Sequence, residues 1–178
     1  MLPIILKPSI LNVLVIGKGR ATDKRMELLA QSGVTNITHI ENPAITNYNI
    51  TDYNLVYVGD IEFTQAEKIA VEARINKIFI NVEDTKPLCD FHVPAIHRSG
   101  NLLLTSSTNG TAPRLARKVK QVLEKMFDAE FAAKTKILES ERMKLMEAKA
   151  SFDELIEKSD IMIEKTGIFK KFCEKCRF

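Results

Sequence analysis

The stretch Asn12–Thr22, read as NVLVIGKGRAT, decides the fold of this chain of 178 residues. It opens with a short run rich in Val, Leu and Ile that ends at Gly17, as a parallel strand buried on both faces would. Gly19 follows, and an amphipathic segment continues to Gln31. Strand, glycine turn and helix in this order predict a dinucleotide-binding α/β fold, in which the second glycine lets a pyrophosphate approach the helix N-terminus.

The glycine pattern departs from that fold at its third small position. Thr22 occupies the third position, where glycine or alanine permits close packing of the helix against the strand, and Lys18 stands between the two glycines. Many strand-to-helix crossovers contain a glycine turn. The turn by itself therefore leaves two interpretations open, a dinucleotide site and an ordinary crossover.

The residues that follow repeat the alternation of strand and helix. The predicted strands are Ile37–Ile40, Leu55–Val58 and Ile78–Ile80, the predicted helix between the last two is Phe63–Asn76, and residues 42–54 are predicted to be a loop with one short strand. Strands that alternate with helices at this spacing predict a parallel sheet with right-handed crossovers.

Two extended runs come next. Phe91–His97 and Leu102–Ser106 are separated by a short turn and predict a hairpin that extends the sheet. We therefore predict an α/β, Rossmann-like domain with a parallel sheet and a hairpin extension over residues 1–110.

The remainder of the chain is rich in helix formers. From Pro113, a favoured first residue of a helix, to about Lys165, only Ser151 and Ser159 stand out as breaks or caps. The broken apolar stripe of this segment predicts two or three packed helices, and we place a helical region at residues 111–178.

The composition is that of an ordinary globular protein, with 45% apolar and 28% charged residues. No apolar run is long enough to span a bilayer, so no membrane association is expected. The chain has three cysteines, an odd number, and its start does not resemble a signal peptide. These features indicate the reducing cytoplasm.

The charge is unevenly distributed. Residues 1–110 contain 10 Lys and Arg against 11 Asp and Glu, whereas residues 111–178 contain 16 against 12. The positive excess of the second part suits a polyanionic small ligand, and we expect no nucleic-acid partner.

A second stretch, Asn81–Arg117, carries several linked motifs. In order they are Asn81-Val82-Glu83-Asp84, Cys89-Asp90-Phe91, Pro94-Ala95, the apolar run Leu102–Thr105, Ser107-Thr108-Asn109-Gly110 and Pro113-Arg114-Leu115-Ala116-Arg117. Their order and spacing resemble those of the bifunctional precorrin-2 dehydrogenase and sirohydrochlorin ferrochelatase family, whose members complete the synthesis of sirohaem.

The resemblance implies NAD-dependent oxidation of precorrin-2, a tetrapyrrole, to sirohydrochlorin. Insertion of Fe²⁺ is a second activity that some relatives lack, and the sequence leaves it open. The resemblance makes Asp84 the catalytic proton acceptor and the residue that would meet the metal transiently. It also implies a homodimer, with NAD bound in residues 1–110 and dimerisation and substrate binding in residues 111–178.

The dinucleotide-binding pattern and the resemblance together place cofactor contacts at the glycine turn and at two nearby strand ends. They are Gly17, Gly19, Arg20, Ala21, Thr22, Glu41, Asn42 and Asp60. Glu41 is placed to accept hydrogen bonds from the adenosine ribose, which favours NAD over NADP, although a surface glutamate is an equal alternative. Arg20, Lys24 and Arg25 leave open a 2′-phosphate or substrate carboxylates as ligands near the helix start.

Substrate contacts are implied at four positions after the hairpin. Ser107 and Thr108 match the hydroxyl pair of the family, and Arg114 and Arg117 can receive substrate carboxylates. Helix capping by the two hydroxyls, and a solvated helix face for the two arginines, are the alternatives.

Two further functions stay open for the whole chain. One is a family member that binds a tetrapyrrole or nucleotide without turnover. Three departures from the pattern favour it: Lys18 in place of the family's middle glycine, Thr22, and Gly59-Asp60 where the family usually has Ala-Thr-Asp. The other is a nucleotide-sensing Rossmann module. Cys173 and Cys176 form a CxxC pair, which we interpret as packing residues because two further zinc ligands are not evident.

Overall fold

The computed structural model describes residues 2–42 and 48–169. The described residues form two compact units, divided between Val93 and Pro94. The first unit contains β1 (Asn12–Ile16), α1 (Arg20–Gln31), β2 (Asn36–Ile40), β3 (Leu55–Val58), α2 (Phe63–Ile75) and β4 (Phe79–Val82). These bounds agree with the predicted strands and helices to within one residue at most ends.

The four strands of this unit form one parallel sheet in the order β2-β1-β3-β4. β1 is an inner strand of this sheet. α1 connects it to β2 at one edge, and the chain then passes to β3 on the other side of β1. The predicted Rossmann-like fold is confirmed. In such a sheet the strand order reverses beside β1, and ligands bind beyond the carboxyl ends of the strands at that point.

The core lies on both faces of the sheet, and β1 shows how alternation divides it. Leu14 and Ile16 pack in the cluster that includes the buried residues of α2, whereas Val13 and Val15 pack with Leu29 of α1. These four of the five residues of β1 are at most 1% exposed. Full burial of each such side chain contributes about 1.5–3 kcal/mol, which explains why an uninterrupted apolar run predicted this strand.

The outer edge of β4 is closed by the Cys89–Phe91 segment. The backbone N–H of Asp90 donates to Ile80 O at 2.8 Å, and the Asp90 carboxylate accepts from Ile80 N at 3.2 Å. Arg74 Nε donates to the other oxygen of the same carboxylate at 2.9 Å. The Cys-Asp-Phe motif therefore has a structural task, because it satisfies an otherwise open strand edge.

The loop before β3 differs from the prediction in the part that the structure describes. Residues 48–54 contain a single turn of 3-10 helix, Ile50–Asp52, and no strand. Ile50 is buried, and the Asn49 side chain caps the turn by accepting from Thr51 N. Polar capping and one apolar anchor explain why a compact turn replaces the expected strand.

The second unit contains β5 (Ala95–Ser99), β6 (Leu102–Ser106), α3 (Pro113–Met126), α4 (Ala129–Glu147) and α5 (Phe152–Thr166). The predicted hairpin is confirmed, although its first strand is Ala95–Ser99 and not Phe91–His97. β5 and β6 form a separate antiparallel sheet of two strands. They do not extend the parallel sheet within the described residues. The physical reason is that Cys89–Phe91 already occupies the edge of β4, while β5 and β6 pack against α3.

Two of the three helices of this unit, α4 and α5, begin at side-chain caps, whereas α3 has none at Ala112. Ser151 begins α5 with a capping box in which its hydroxyl and Glu154 are reciprocally bonded, as its sequence indicated. Ser159 is not a break, because it lies inside α5. The break between α3 and α4 falls at Asp128, whose carboxylate accepts from Phe131 N at 3.1 Å. His97 and Ser99 of β5 donate to the carbonyls of Phe127 and Asp128 and hold this corner.

No helix in residues 2–42 and 48–169 has the length and apolar character needed to cross a membrane.

Candidate dinucleotide and substrate site

The glycine turn after β1 lies directly against the loop that follows β3. Gly17 and Gly19 have positive φ angles of 120° and 149°. A Cβ atom on Gly17 would lie 1.7 Å from the carbonyl oxygen of Gly59, and one on Gly19 would lie 2.7 Å from Asp60 Cγ. Both positions therefore require glycine, for backbone conformation and for space.

Asp60 occupies the N-terminus of α1. Its Oδ2 atom accepts hydrogen bonds from the backbone N–H groups of Ala21 and Thr22, each at 3.0 Å, and from the Thr22 hydroxyl at 3.1 Å. The N-cap residue of α1 is Gly19, which has no side chain to satisfy these amides. Free N–H groups and the helix dipole favour an anion here, and the chain supplies one of its own.

Thr22 and Gly59 compensate for each other. Thr22 is 2% exposed, and its Oγ1 atom lies 3.4 Å from the Gly59 carbonyl oxygen. A Cβ atom on Gly59 would approach this Oγ1 atom to 3.2 Å. The small residue that a dinucleotide-binding helix usually carries is thus found on the facing loop instead, which preserves the close approach of α1 to the sheet.

Glu41, the predicted ribose acceptor, is engaged by Lys18 of the glycine turn. Lys18 Nζ lies 2.7 Å from Glu41 Oε2, and both side chains are exposed. The hydrogen bond and charge of each partner raise the pKa of Lys18 and lower the pKa of Glu41. His39 fixes the same turn, because its ring Nε2 donates to Gly17 O at 2.9 Å. Arg20 and Asn42, two further predicted cofactor contacts, are exposed.

Arg25 is turned inward and is not available as the anion ligand that its position suggested. Its guanidinium donates to Glu83 Oε2 at 2.7 Å and stacks 4.7 Å from the ring centre of Tyr57. The Arg25 side chain is only 15% exposed. Burial raises the pKa of the Tyr57 hydroxyl, and the nearby Arg25 charge acts in the opposite direction.

Asp84 lies just beyond the carboxyl end of β4, where the sequence placed it. Its backbone adopts a left-handed conformation with φ of 55°, and the residue is exposed. Its carboxylate has no hydrogen bond or ion pair within the described part of the chain. The Cys89 thiol braces this turn by donating to Val82 O at 3.0 Å and to Thr85 O at 3.4 Å. Asp84 is thus a carboxylate presented to solvent on a braced turn.

A resident metal centre has no support in residues 2–42 and 48–169. That part of the chain contains no group of three or more His, Cys, Asp or Glu side chains able to hold an ion. Burial raises the pKa of the Cys89 thiol, which opposes formation of a metal-binding thiolate. Cys173 and Cys176 lie outside the described residues, and the contact of Asp84 with iron stays a prediction.

Ser107 and Thr108 cap the turn before α3. Ser107 Oγ accepts from the backbone N–H of Asn109 at 3.2 Å, and Thr108 Oγ1 accepts from Ala112 N at 3.0 Å. Both bonds lie within the turn and do not cap the helix, because the N-cap residue of α3 is Ala112, which has no side-chain cap bond. Each hydroxyl also keeps its own hydrogen as a donor. Their substrate contact stays a prediction. Arg114 and Arg117 are exposed in the first turns of α3 and stay predicted carboxylate ligands.

The comparison with protein families gives one match, over residues 4–95, to a family described as putative NAD(P)-binding. This chain belongs to the putative NAD(P)-binding family. The match covers the parallel sheet, the glycine turn and Asp84, so the family is shown by the unit that holds the predicted cofactor residues.

Similar proteins agree with the sirohaem resemblance. A siroheme synthase of Pseudoalteromonas atlantica is 28% identical over 141 residues, which are 68% of this chain and 30% of that protein. A siroheme synthase of Methylococcus capsulatus is 27% identical over 165 residues, 83% of this chain and 35% of that protein. The chain thus spans about a third of the length of these curated relatives.

A solved structure, SirC, precorrin-2 dehydrogenase, has the same fold. It superimposes with a TM-score of 0.72 over 95% of this chain and 92% of its own, at 19% sequence identity. The siroheme synthases confirm the resemblance that the motifs of the sequence indicated, and the solved structure confirms the fold.

Proposed function

We propose that this chain is an NAD-dependent precorrin-2 dehydrogenase that forms sirohydrochlorin. The proposal rests on the likeness to siroheme synthases together with one observation, the exposed carboxylate of Asp84 at the carboxyl edge of a parallel sheet. In this fold ligands bind at that edge. A catalytic base must be accessible to the bound substrate. The Asp84 carboxylate is accessible, and within the described residues it makes no hydrogen bond that would occupy it.

The glycine turn supports a dinucleotide in its donor chemistry. The amides of Ala21 and Thr22 already hold a carboxylate oxygen at 3.0 Å, so they are oriented for an anion. A diphosphate oxygen would use the same donors at the N-terminus of α1. Glu41 is the acceptor available for ribose hydroxyls at the end of β2.

The reaction divides into a hydride transfer and a proton transfer. NAD⁺, when bound, supplies the hydride acceptor, and the substrate carbon skeleton must also lose a proton. We assign the acceptance of that proton to the Asp84 carboxylate. The backbone of the turn that carries this carboxylate is braced at Val82 and Thr85, because the single hydrogen of the Cys89 thiol lies within reach of both of their carbonyls. The cofactor accepts the hydride and the Asp84 carboxylate accepts the proton, so both species that the substrate loses have an acceptor.

Iron insertion is proposed only as a second activity of the same chain. It would take Fe²⁺ as a substrate and release two pyrrole protons, for which Asp84 is again the candidate acceptor. Arg114 and Arg117 are proposed to bind tetrapyrrole carboxylates, and the hydroxyls of Ser107 and Thr108 are proposed as further donors.

The odd number of cysteines keeps the cytoplasm as the expected compartment.

A homodimer is proposed from the exposed face of α3. Leu115, Val119, Val122 and Met126 recur at helical spacing and are 38–57% exposed. Ala116, about a quarter turn around the helix from this stripe, is buried within the unit. Such a continuous apolar stripe on a strongly amphipathic helix favours a second copy of this chain as the partner.

Asp60 supports a second candidate function, a chain that binds ligands without turnover. Its carboxylate occupies the amides that a diphosphate would use, and a permanent contact would exclude the cofactor. Such a chain would retain the fold and the tetrapyrrole site while lacking NAD-dependent oxidation.

The deciding experiment is anaerobic incubation of the purified chain with enzymatically generated precorrin-2 and NAD⁺. We expect the absorbance of sirohydrochlorin to appear with stoichiometric NADH, and Fe²⁺ added afterwards tests the second activity. If no oxidation occurs while tetrapyrrole binding is measurable, the function without turnover replaces the dehydrogenase.

A further inference from the structure

We propose that Asp60 is an internal competitor for the dinucleotide diphosphate, and that its carboxylate must leave α1 before the dinucleotide can bind. The inference rests on the proposed function in one respect, because it takes the amides of Ala21 and Thr22 as the diphosphate site. It adds a residue that sets cofactor affinity.

The competition follows from the number of donors. Each backbone amide has a single hydrogen, and both hydrogens point to Asp60 Oδ2 at donor-to-acceptor distances of 3.0 Å. The Thr22 hydroxyl donates to the same oxygen at 3.1 Å. A phosphate oxygen at this place needs the same hydrogens. One anion can therefore be bound at a time.

Space and charge lead to the same conclusion. The Asp60 carboxyl group lies against Gly19, where even a single added carbon would be 2.7 Å from Asp60 Cγ. The approach that the second glycine leaves open for a pyrophosphate is thus filled by this side chain. A diphosphate placed beside it would also bring like charges together at close range.

Within residues 2–42 and 48–169, Asp60 is held only through its carboxylate oxygen, which leaves it able to move. The residue is exposed and stands in the loop between β3 and α2. Its φ angle of 55° is a left-handed conformation, which Asp adopts at some energetic cost. Release of the carboxylate would expose it to water and allow the loop to relax. Only molecules whose Asp60 carboxylate is released from α1 can bind the dinucleotide. The measured association constant is therefore the intrinsic constant multiplied by the released fraction.

A purely structural cap makes a different prediction. Since Gly19 provides no side-chain cap, Asp60 stabilises α1 in either case, and its removal lowers the melting temperature in either case. Only a competitor also weakens ligand binding while it is present. Dinucleotide affinity therefore separates the two roles, whereas stability does not.

The test compares the full chain with Asp60→Asn and Asp60→Gly by calorimetric titration with NAD⁺ and with inorganic pyrophosphate. Both replacements tolerate the left-handed backbone, so the loop is not strained. Glu62→Gln is the matched control, because Glu62 is exposed, makes no capping bond and carries the same charge two residues away. Circular dichroism and melting temperature confirm that each variant is folded.

We expect Asp60→Gly to bind both ligands about tenfold or more tightly than the wild type. The affinity of Asp60→Asn should lie between those of Asp60→Gly and the wild type, and that of Glu62→Gln should be close to the wild type. Wild type that binds NAD⁺, with folded Asp60 variants of equal or lower affinity, overturns the inference and leaves the proposed function standing. If the Asp60 variants bind NAD⁺ and the wild type does not, the inference is supported and the proposed dehydrogenase function is contradicted. If no form binds NAD⁺, both fail.

Discussion

Thr22 and Asp60 are joined twice, because the backbone N–H and the hydroxyl of Thr22 both donate to one carboxylate oxygen, at 3.0 and 3.1 Å. Thr22 also faces Gly59, the residue that precedes Asp60. The two departures from the dinucleotide-binding pattern, one in α1 and one after β3, are therefore a single coupled feature. It keeps the helix close to the sheet while placing an anion at its N-terminus.

The contact between Gly17 and the loop after β3 predicts a large loss of stability in Gly17→Ala. The new Cβ would lie 1.7 Å from Gly59 O, so the backbone must move. Gly33→Ala is the matched control, because Gly33 also has a positive φ angle but its Cβ would meet only Pro8 Cγ at 3.8 Å. We expect urea unfolding to show a loss of about 1 kcal/mol for Gly33→Ala and about 3 kcal/mol or more for Gly17→Ala. Equal losses would mean that the close approach is not maintained in solution.

The closure of the β4 edge predicts that Asp90 matters more than its ion-pair partner. Asp90→Ala leaves the N–H of Ile80 without its carboxylate acceptor, whereas Arg74→Ala removes a charge that is 41% exposed. We expect unfolding free energies to fall by about 1–3 kcal/mol for Asp90→Ala and by less than about 1 kcal/mol for Arg74→Ala. The reverse order would contradict the role given to the Cys-Asp-Phe motif.

The elements that sequence could predict are those specified by local pattern. The run Val13–Ile16 is buried on both faces, and contiguous apolar residues are the direct sign of that environment. The contact of Asp60 with Thr22 joins residues 38 positions apart and depends on a left-handed backbone, so no local pattern indicates it. The helix start at Asp128 was missed although Asp is a favoured N-cap, because helix formers continue on both sides.

The candidate site was predictable in position but not in its internal bonding. Asp84 follows a buried strand, which placed it correctly at the carboxyl edge of the sheet. The engagement of Arg25 by Glu83 and Tyr57 could not be read from the sequence, since all three lie on different elements. Departures of this kind concentrate at functional sites, where local rules are least obeyed.

The burial of Cys89 predicts a pH dependence of stability. Its thiol pKa is raised in the folded chain, so its contribution to stability is complete below the ordinary thiol pKa and is lost as the pH rises through the folded value. We expect the stability of the wild type to fall relative to Cys89→Ala as the pH rises from neutral through the ordinary thiol pKa of about 8.5. Urea unfolding at each pH gives the difference, and a constant difference would show that the thiol is not shielded.

The apolar stripe of α3 predicts the oligomeric state. We expect light scattering after size exclusion to report a dimer for the wild type and a monomer for Val122→Asp, because the variant places a charge in the proposed interface. Gln121→Asp is the control, since it adds the same charge at an adjacent exposed position outside the stripe. A wild-type monomer, or a dimer that survives Val122→Asp, would remove α3 as the dimer interface.

The most direct test of the proposed catalytic role compares the wild type with Asp84→Asn in a single anaerobic turnover of precorrin-2 with NAD⁺. Asparagine preserves the size and the left-handed backbone of this position but cannot accept the proton. Asp52→Asn, at the opposite edge of the sheet before β3, controls for the loss of one surface carboxylate. We predict that Asp84→Asn forms NADH at least about a hundredfold more slowly, with NAD⁺ affinity and stability unchanged, while Asp52→Asn matches the wild type. NADH formation by Asp84→Asn at the wild-type rate would contradict the assignment of Asp84 as the proton acceptor.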